Sequence, residues 1–453
     1  MAGFFTSMEK KKELSSPIKL TGCASCGLSN GPLHPKMEPT GDGEKGILFI
    51  AEGPGRDEDE RNIQLIGKVG QRLRKALRVL KIDLDKDCRK TNSVRCRPPN
   101  NRTPETNEIA ACKQHIFDEI KSFEPKVVIP LGGAAVKSLL MDRWVNDSDY
   151  SITRWRGLRI PDQELKCWIC PTFHPSYVER TEYDIPAVTV LWERDLKRAV
   201  EISRTDFPVT PSPTITILKG KEIGDYLLDL WRRARRSDRK PYQGLTAGTH
   251  EWMECWKRNK HLQREMLKYQ KGEFVGLQGN PIEIAFDYET TGLKPYAKGH
   301  RIVCCSIAES PEAACAWMWD KEHNAIFQQV MEDGTHIKKI GANNKFEENW
   351  TRAILRHKIS GWLWDTVVSA HVLDNRPGSG SVAFQSYTRL GVIDFKKEIN
   401  DLLRAPDCNS INQIDRIPEE TLLLRNALDS AYEYGIYISQ KREFDAASSH
   451  RNN

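Results

Sequence analysis

At 453 residues the chain has room for roughly two to four domains of about 150 residues each. With 39% hydrophobic and 29% charged residues it reads as globular with proper cores, and no run approaches the roughly 20 apolar residues that cross a bilayer, which argues against a membrane protein. The net charge of +6 is diluted by 62 acids, so charge alone points only weakly to nucleic acid.

Residues 1–16, MAGFFTSMEKKKELSS, read as a flexible basic leader. Their apolar patch precedes their charges, the reverse of a secretory signal, so a cytoplasmic protein is expected. Twelve cysteines in that compartment raise the question of metal rather than of a disulfide framework. From 17 to 205, short β-rich runs (46–51, 126–131, 168–173) alternate with amphipathic helical runs, the pattern of a three-layer α/β domain.

The stretch 46–60, GILFIAEGPGRDEDE, organises this domain. Ile47, Leu48, Phe49 and Ile50 run continuously, as a strand buried on both faces does. The run breaks at Gly53-Pro54-Gly55, and apolar residues at helical spacing follow over 70–82. The loop therefore sits at the carboxyl end of a strand, where open α/β sheets bind ligands. A further helix begins near Thr103: Pro104 suits its first turn, Glu105 and Glu108 its positive end, and Ile109, Cys112, Ile116 and Ile120 form one stripe.

Cys23 and Cys26 form a Cys-x-x-Cys pair, with Cys96 and Cys112 further on. Four thiolates hold zinc or an iron-sulfur cluster. Cys167 and Cys170 share the spacing and, with the first pair, would make a rival four-sulfur zinc site. They fall at the start of a strand whose alternate residues face opposite ways, which suits buried packing instead.

EGPG with its acidic run, GKVG, TNSVRCRPPNNRTP, Cys112 and FHPSYV follow one another as in the family 4 uracil-DNA glycosylases, which residues 17–205 resemble. The resemblance implies a uracil-DNA glycosylase-like fold, a structural 4Fe-4S cluster on Cys23, Cys26, Cys96 and Cys112, and a pocket for a base extruded from DNA. Cleaving the N-glycosidic bond leaves positive charge on the sugar and negative charge on the departing base. By the same resemblance Glu58 places a water or stabilises the cation, His174 donates to the base, Asn92 reads its edge, and Glu52 and Gly53 line the pocket. Leu65 replaces the phenylalanine that stacks on uracil. Such stacking is worth about 1–3 kcal/mol, so weakened or re-tuned base recognition is expected.

Residues 206–280 read as a linker, DFPVTPSP, followed by a helical basic connection. Within it WRRARRSDRK (231–240) has six basic residues in ten, fitting a phosphate-facing helix or a solvated face.

A second α/β pattern occupies 281–453, with strands over 282–287 and 301–307. AFDYETTGL sets Asp287 and Glu289 two apart on a strand, so both leave one face, and paired carboxylates hold hard divalent cations. With Asn343-Asn344-Lys345-Phe346-Glu347, Asn426-Ala427-Leu428-Asp429 and FQSYTRLG, the segment resembles the DEDD-type 3′-5′ exonucleases, most closely the proofreading modules of bacteriophage-like family A DNA polymerases. The resemblance implies a ribonuclease H-like fold with two Mg²⁺ or Mn²⁺ on Asp287, Glu289, Glu347 and Asp429. Glu347 stands where aspartate is commoner. Arg425 stands where a tyrosine usually orients the attacking water; arginine stays charged and cannot act as a base, though it can grip phosphate. Reduced or altered hydrolysis is therefore expected. Asp365 reads as a helix cap and not a fifth ligand.

These readings combine into a DNA replication or repair protein with two α/β modules, one for base excision or template-base recognition and one for proofreading. The expected partners are DNA and a DNA polymerase, on a separate subunit or elsewhere in a longer chain, since about two dozen residues follow Asp429. The alternative is a non-catalytic DNA-binding scaffold with decayed sites.

Overall fold

A computed structural model describes residues 22–23, 26–144, 149–235, 281–393 and 397–449. The leader 1–16 and residues 236–280 of the basic connection lie outside the described residues. The chain divides into two compact units, Met1–Pro208 and Val209–Asn453, both mixed α/β.

The first unit is built on a five-stranded sheet in the order β2-β1-β3-β5-β4, from β1 (Ile47–Ala51), β2 (Cys88–Asn92), β3 (Val127–Pro130), β4 (Ile160–Asp162) and β5 (Cys167–Ile169). The strands β2, β1, β3 and β5 run parallel and β4 is antiparallel. Ile47 and Phe49 join Leu73 and Leu77 of helix Lys68–Val79 and Trp192 and Leu196 of helix Ala187–Ile202 in one core. Leu48 and Ile50 point to the opposite face and are as fully buried, as a strand covered on both sides requires. Cys167 and Cys170 are buried too; burial lifts the Cys170 thiol to about 12, so these cysteines are core packing.

The single helix expected from Thr103 is instead two, Thr106–Cys112 and Gln114–Phe123, separated at Lys113. The Glu108 carboxylate receives the Glu105 N–H at 2.7 Å and fixes the first start. The break lets Ile109 and Cys112 pack with Leu28, Val94 and Cys96 in a small cluster of their own.

The second unit carries a six-stranded sheet in the order β11-β10-β7-β8-β9-β6. Its strands are β6 (Thr214–Ile217), β7 (Ile282–Thr290), β8 (Ile302–Ser310), β9 (Ala313–Met318), β10 (Ile337–Gly341) and β11 (Trp362–Asp365). Here the linker boundary drawn from sequence needs correction. Thr214–Ile217 pairs in parallel with β9, and helix Lys221–Ala234 buries Ile223, Leu227 and Leu230 against Phe286, Trp317 and Phe327. A four-residue edge strand buried on one side only carries little apolar signal, and the prolines before it mask its start. The basic run is partly spent internally: Arg233 pairs with Glu309 at 2.7 Å and Arg235 with Asp333 at 2.9 Å. Residues 236–240 of that run lie outside the described residues.

Candidate active sites

In the first unit the parallel register brings the chemistry to one edge. Ala51 pairs with Asn92 and Ile50 with Pro130, and Leu131 bridges Thr172. Glu52, Asn92, Gly132 and His174 therefore all lie at or beyond the carboxyl ends of adjacent strands. The Ser93 hydroxyl donates to the Glu52 carbonyl and ties the first two loops together. Gly53 lies against Val94 and Pro98 so closely that a Cβ there would sit 3.1 Å from a Val94 methyl.

His174 caps helix Pro175–Thr181, its Nδ1 accepting the Ser176 N–H at 3.3 Å. That bond leaves the proton of the neutral ring on Nε2. Desolvation, with Arg180 nearby, lowers the His174 pKa to about 4. At neutral pH the side chain is an uncharged donor. Gly132, at φ +87, allows the approach: a Cβ there would lie 3.1 Å from the His174 Cβ.

The other expected residues are more constrained. Glu58 receives the Gly67 N–H at 2.8 Å on one carboxylate oxygen and the Gly55 N–H at 3.1 Å on the other. This carboxylate braces two loops. Asn92 is buried and its amide donates to Gln64, a residue that the sequence reading passed over. Leu65 is 4% exposed and packs in the core with Leu73 and Phe49, because an aliphatic side chain here is better sequestered than presented. Asp59 was also missed: its carboxylate accepts from the backbone N–H groups of Leu33 and His34, anchoring the segment after the first cysteine pair.

Cys23, Cys26, Cys96 and Cys112 converge closely enough for Cys112 to feel the charges of the other three and Cys96 those of Cys23 and Cys26. Backbone N–H groups of Lys36 and Arg95 point at the sulfurs of Cys96 and Cys112, at 3.2 and 3.4 Å. Burial raises the Cys112 thiol to about 11, so thiolates here need a cationic centre. Four sulfurs gathered in this way suit a thiolate-bound metal group.

In the second unit Asp287 and Glu289 leave β7 on one face and meet Asp429 from helix Glu419–Ser449, with carboxylate oxygens all within 4.8 Å. Ala427 and Ala431 are fully buried and share a cluster with Ala308 and Ala316, so small side chains let the helix approach the sheet. Ser306 Oγ on β8 donates to the Asn426 carbonyl at 2.8 Å and fixes the helix rotation. The three carboxylates line a cleft of about 630 Å³ together with Arg425, Phe346 and Glu433.

Glu347 stands apart from that trio. It is 2% exposed, and its Oε2 finds no hydrogen-bond partner among the described residues. Burial, with Asp287 and Glu433 near, holds its carboxyl well above the usual range. Glu433 is equally buried, accepts from Thr366 Oγ1 at 3.1 Å and is raised for the same reasons. Its position one helical turn after Asp429 is the signal that would have found it. Asp365 accepts from Val367 and Val368 as a helix cap and from Asn344 at 2.9 Å.

Residues 38–197 match the Uracil DNA glycosylase superfamily. The Type-4 uracil-DNA glycosylase of Thermotoga maritima is 35% identical over 180 residues, covering 39% of this chain and 86% of that protein. A DNA polymerase of Bacillus phage SP01 is 23% identical over 356 residues, 76% of this chain but 34% of the polymerase. This chain thus spans about a third of that relative. Among solved structures, Escherichia coli RNase D, an exoribonuclease involved in structured RNA processing, aligns at 15% identity and a TM-score of 0.29, covering 37% of this chain and 41% of that one. Identity at this level across most of a relative's length leaves one assignment for the first unit, and through it the chain belongs to the type-4 uracil-DNA glycosylase family.

Proposed function

We propose that this chain processes DNA at two chemically separate sites, a base-recognition pocket that cleaves or reads an extruded base, and a metal-dependent 3′-5′ exonuclease cleft. The observation that carries the reading is the meeting of Asp287, Glu289 and Asp429 in one cleft, in a chain whose first unit belongs to the type-4 uracil-DNA glycosylase family. The polymerase relative aligned across 76% of the chain supports a role beside a DNA polymerase, as a partner subunit or a further domain.

At the first site His174 Nε2–H donates to the departing base oxygen as negative charge develops there. Its neutrality suits the task, since no proton must be surrendered beforehand. Asn92, its amide oriented by the buried Gln64, faces the base edge, and Glu58 holds Gly55 and Gly67 in place around it. A 4Fe-4S cluster on Cys23, Cys26, Cys96 and Cys112 supplies a structural brace for the loops that carry these residues.

At the second site Asp287, Glu289 and Asp429 would hold Mg²⁺ or Mn²⁺, which would supply an activated water and charge to balance the departing oxygen. Asn426 fixes Asp287, donating to Oδ2 at 2.7 Å. Arg425 reaches the scissile phosphate as a charged donor and cannot accept the proton of water.

End-labelled strands bearing uracil, incubated with and without Mg²⁺, test both sites. The expected products are shortened ends that require Mg²⁺ and vanish in Asp287→Ala, and abasic sites that persist without Mg²⁺ and vanish in His174→Ala. DNA binding with neither product would overturn both activities. A second reading for the first site, base recognition without cleavage, is favoured by Leu65 in place of an aromatic and by Glu58 spent on backbone; it is the outcome if only shortened ends form.

A further inference from the structure

Arg425 does more than occupy the position of an absent tyrosine. Its Nε lies 3.8 Å from Glu289 Oε1 and 3.5 Å from Asp429 Oδ2, bridging two of the three carboxylates that meet in the cleft. All three side chains of this bridge are withdrawn from water, at 14–16% exposure, so their attraction is weakly screened. We infer that Arg425 is a built-in cation that fills one of two cation positions and holds the exonuclease cleft to a single divalent ion.

The charge count leads there. Within the group in direct contact, the three carboxylates that meet and the guanidinium lying on two of them, three negative charges and one positive leave two, which one divalent ion balances. A two-ion site needs both metals about 3.5–4 Å apart with shared carboxylates between them. A guanidinium already within 4 Å of two of those carboxylates competes for the same lone pairs and repels the second ion. Arginine cannot shed its proton to make way. The backbone also gives the residue little freedom, because the next residue, Asn426, is tied to β7 and β8 through Asp287 and Ser306. Leaving the carboxylates would require the side chain to swing into the cleft, which is where an incoming phosphate would draw it. The arrangement makes the site a one-metal centre at rest whose second positive charge comes from the protein.

This inference rests on the exonuclease reading, and metal stoichiometry separates the two. Mn²⁺ binding to the full chain, followed by calorimetry and by electron paramagnetic resonance, is compared with the Asp287→Ala/Asp429→Ala double variant, which reports sites elsewhere. The expected result is one Mn²⁺ above that background for the native chain and for Arg425→Lys, and two for Arg425→Gln with the exchange-coupled spectrum of a close Mn²⁺ pair. Two coupled ions in the native chain would overturn the inference and leave the metal reading intact. A single ion in Arg425→Gln would also overturn it. No Mn²⁺ above background in the native chain, Arg425→Lys or Arg425→Gln would remove the metal reading itself.

Discussion

The Asn426 amide donates to Asp287 Oδ2 at 2.7 Å across 139 residues of sequence, joining helix Glu419–Ser449 to the central strand β7. Asn426 is fully buried and Asp287 half-buried at the cleft wall, so the donor side of the bond is shielded from water. It orients one carboxylate of the acidic trio from the element that supplies another, Asp429. Replacing Asn426 by Ala is expected to lower stability by about 1–3 kcal/mol, the cost of leaving a buried partner unsatisfied, and to weaken Mn²⁺ binding at least several-fold. Denaturant melts and Mn²⁺ titration check both, and unchanged Mn²⁺ affinity would deny the bond its orienting part.

The depressed pKa of His174, about 4 against an ordinary 6.5, makes two pH statements. Any base release or base binding that uses its Nε2–H should be flat from pH 8 down to about 5. Stability contributed by the neutral, buried ring is present above 6.5 and is lost as pH falls toward 4, because the unfolded chain takes up the proton first. With screening at its open side the loss amounts to about 1–3 kcal/mol. In His174→Gln that acid-side loss should shrink by the same amount. A native chain whose activity halves near pH 6.5 would refute the assignment.

Leu65, at φ +49 and 4% exposed, offers a direct test of base recognition. Leu65→Phe adds no new backbone penalty, since both side chains branch beyond Cβ. It should strengthen binding to uracil-containing single strands by the ~1–3 kcal/mol of one stacked base. Overpacking of the Leu73 and Phe49 core should cost about 1–3 kcal/mol in stability. Fluorescence anisotropy and thermal melting read the two effects separately; lost stability with unchanged affinity would mean that residue 65 never faces the base.

The cysteines sort into two groups by environment. Cys96→Ser or Cys112→Ser is expected to abolish bound iron and the broad absorbance near about 400 nm typical of thiolate-held clusters. Cys167→Ala and Cys170→Ala should keep both and lose only packing. Zinc in stoichiometric amount, or iron lost only with Cys167 and Cys170, would reverse the ligand assignment.

Much of this was readable along the chain. The continuous run at Ile47–Ala51 announced a strand buried on both faces, and Asp287 and Glu289 announced a shared face, because burial and strand periodicity are local properties. Asp365 declared itself a cap through the same locality. What sequence could not decide was how distant groups divide their bonding capacity. That Glu58 is spent on the Gly55 and Gly67 backbone, that Glu347 is buried and lies outside the close grouping of Asp287, Glu289 and Asp429, and that Arg425 lies on two of those carboxylates are outcomes of packing between residues far apart in the chain. Likewise Thr214–Ile217 is a strand only because β9 offers an open edge. Sequence fixes which groups are present and which way neighbours point, whereas competition among buried donors, acceptors and charges is settled only once the tertiary fold sets their distances.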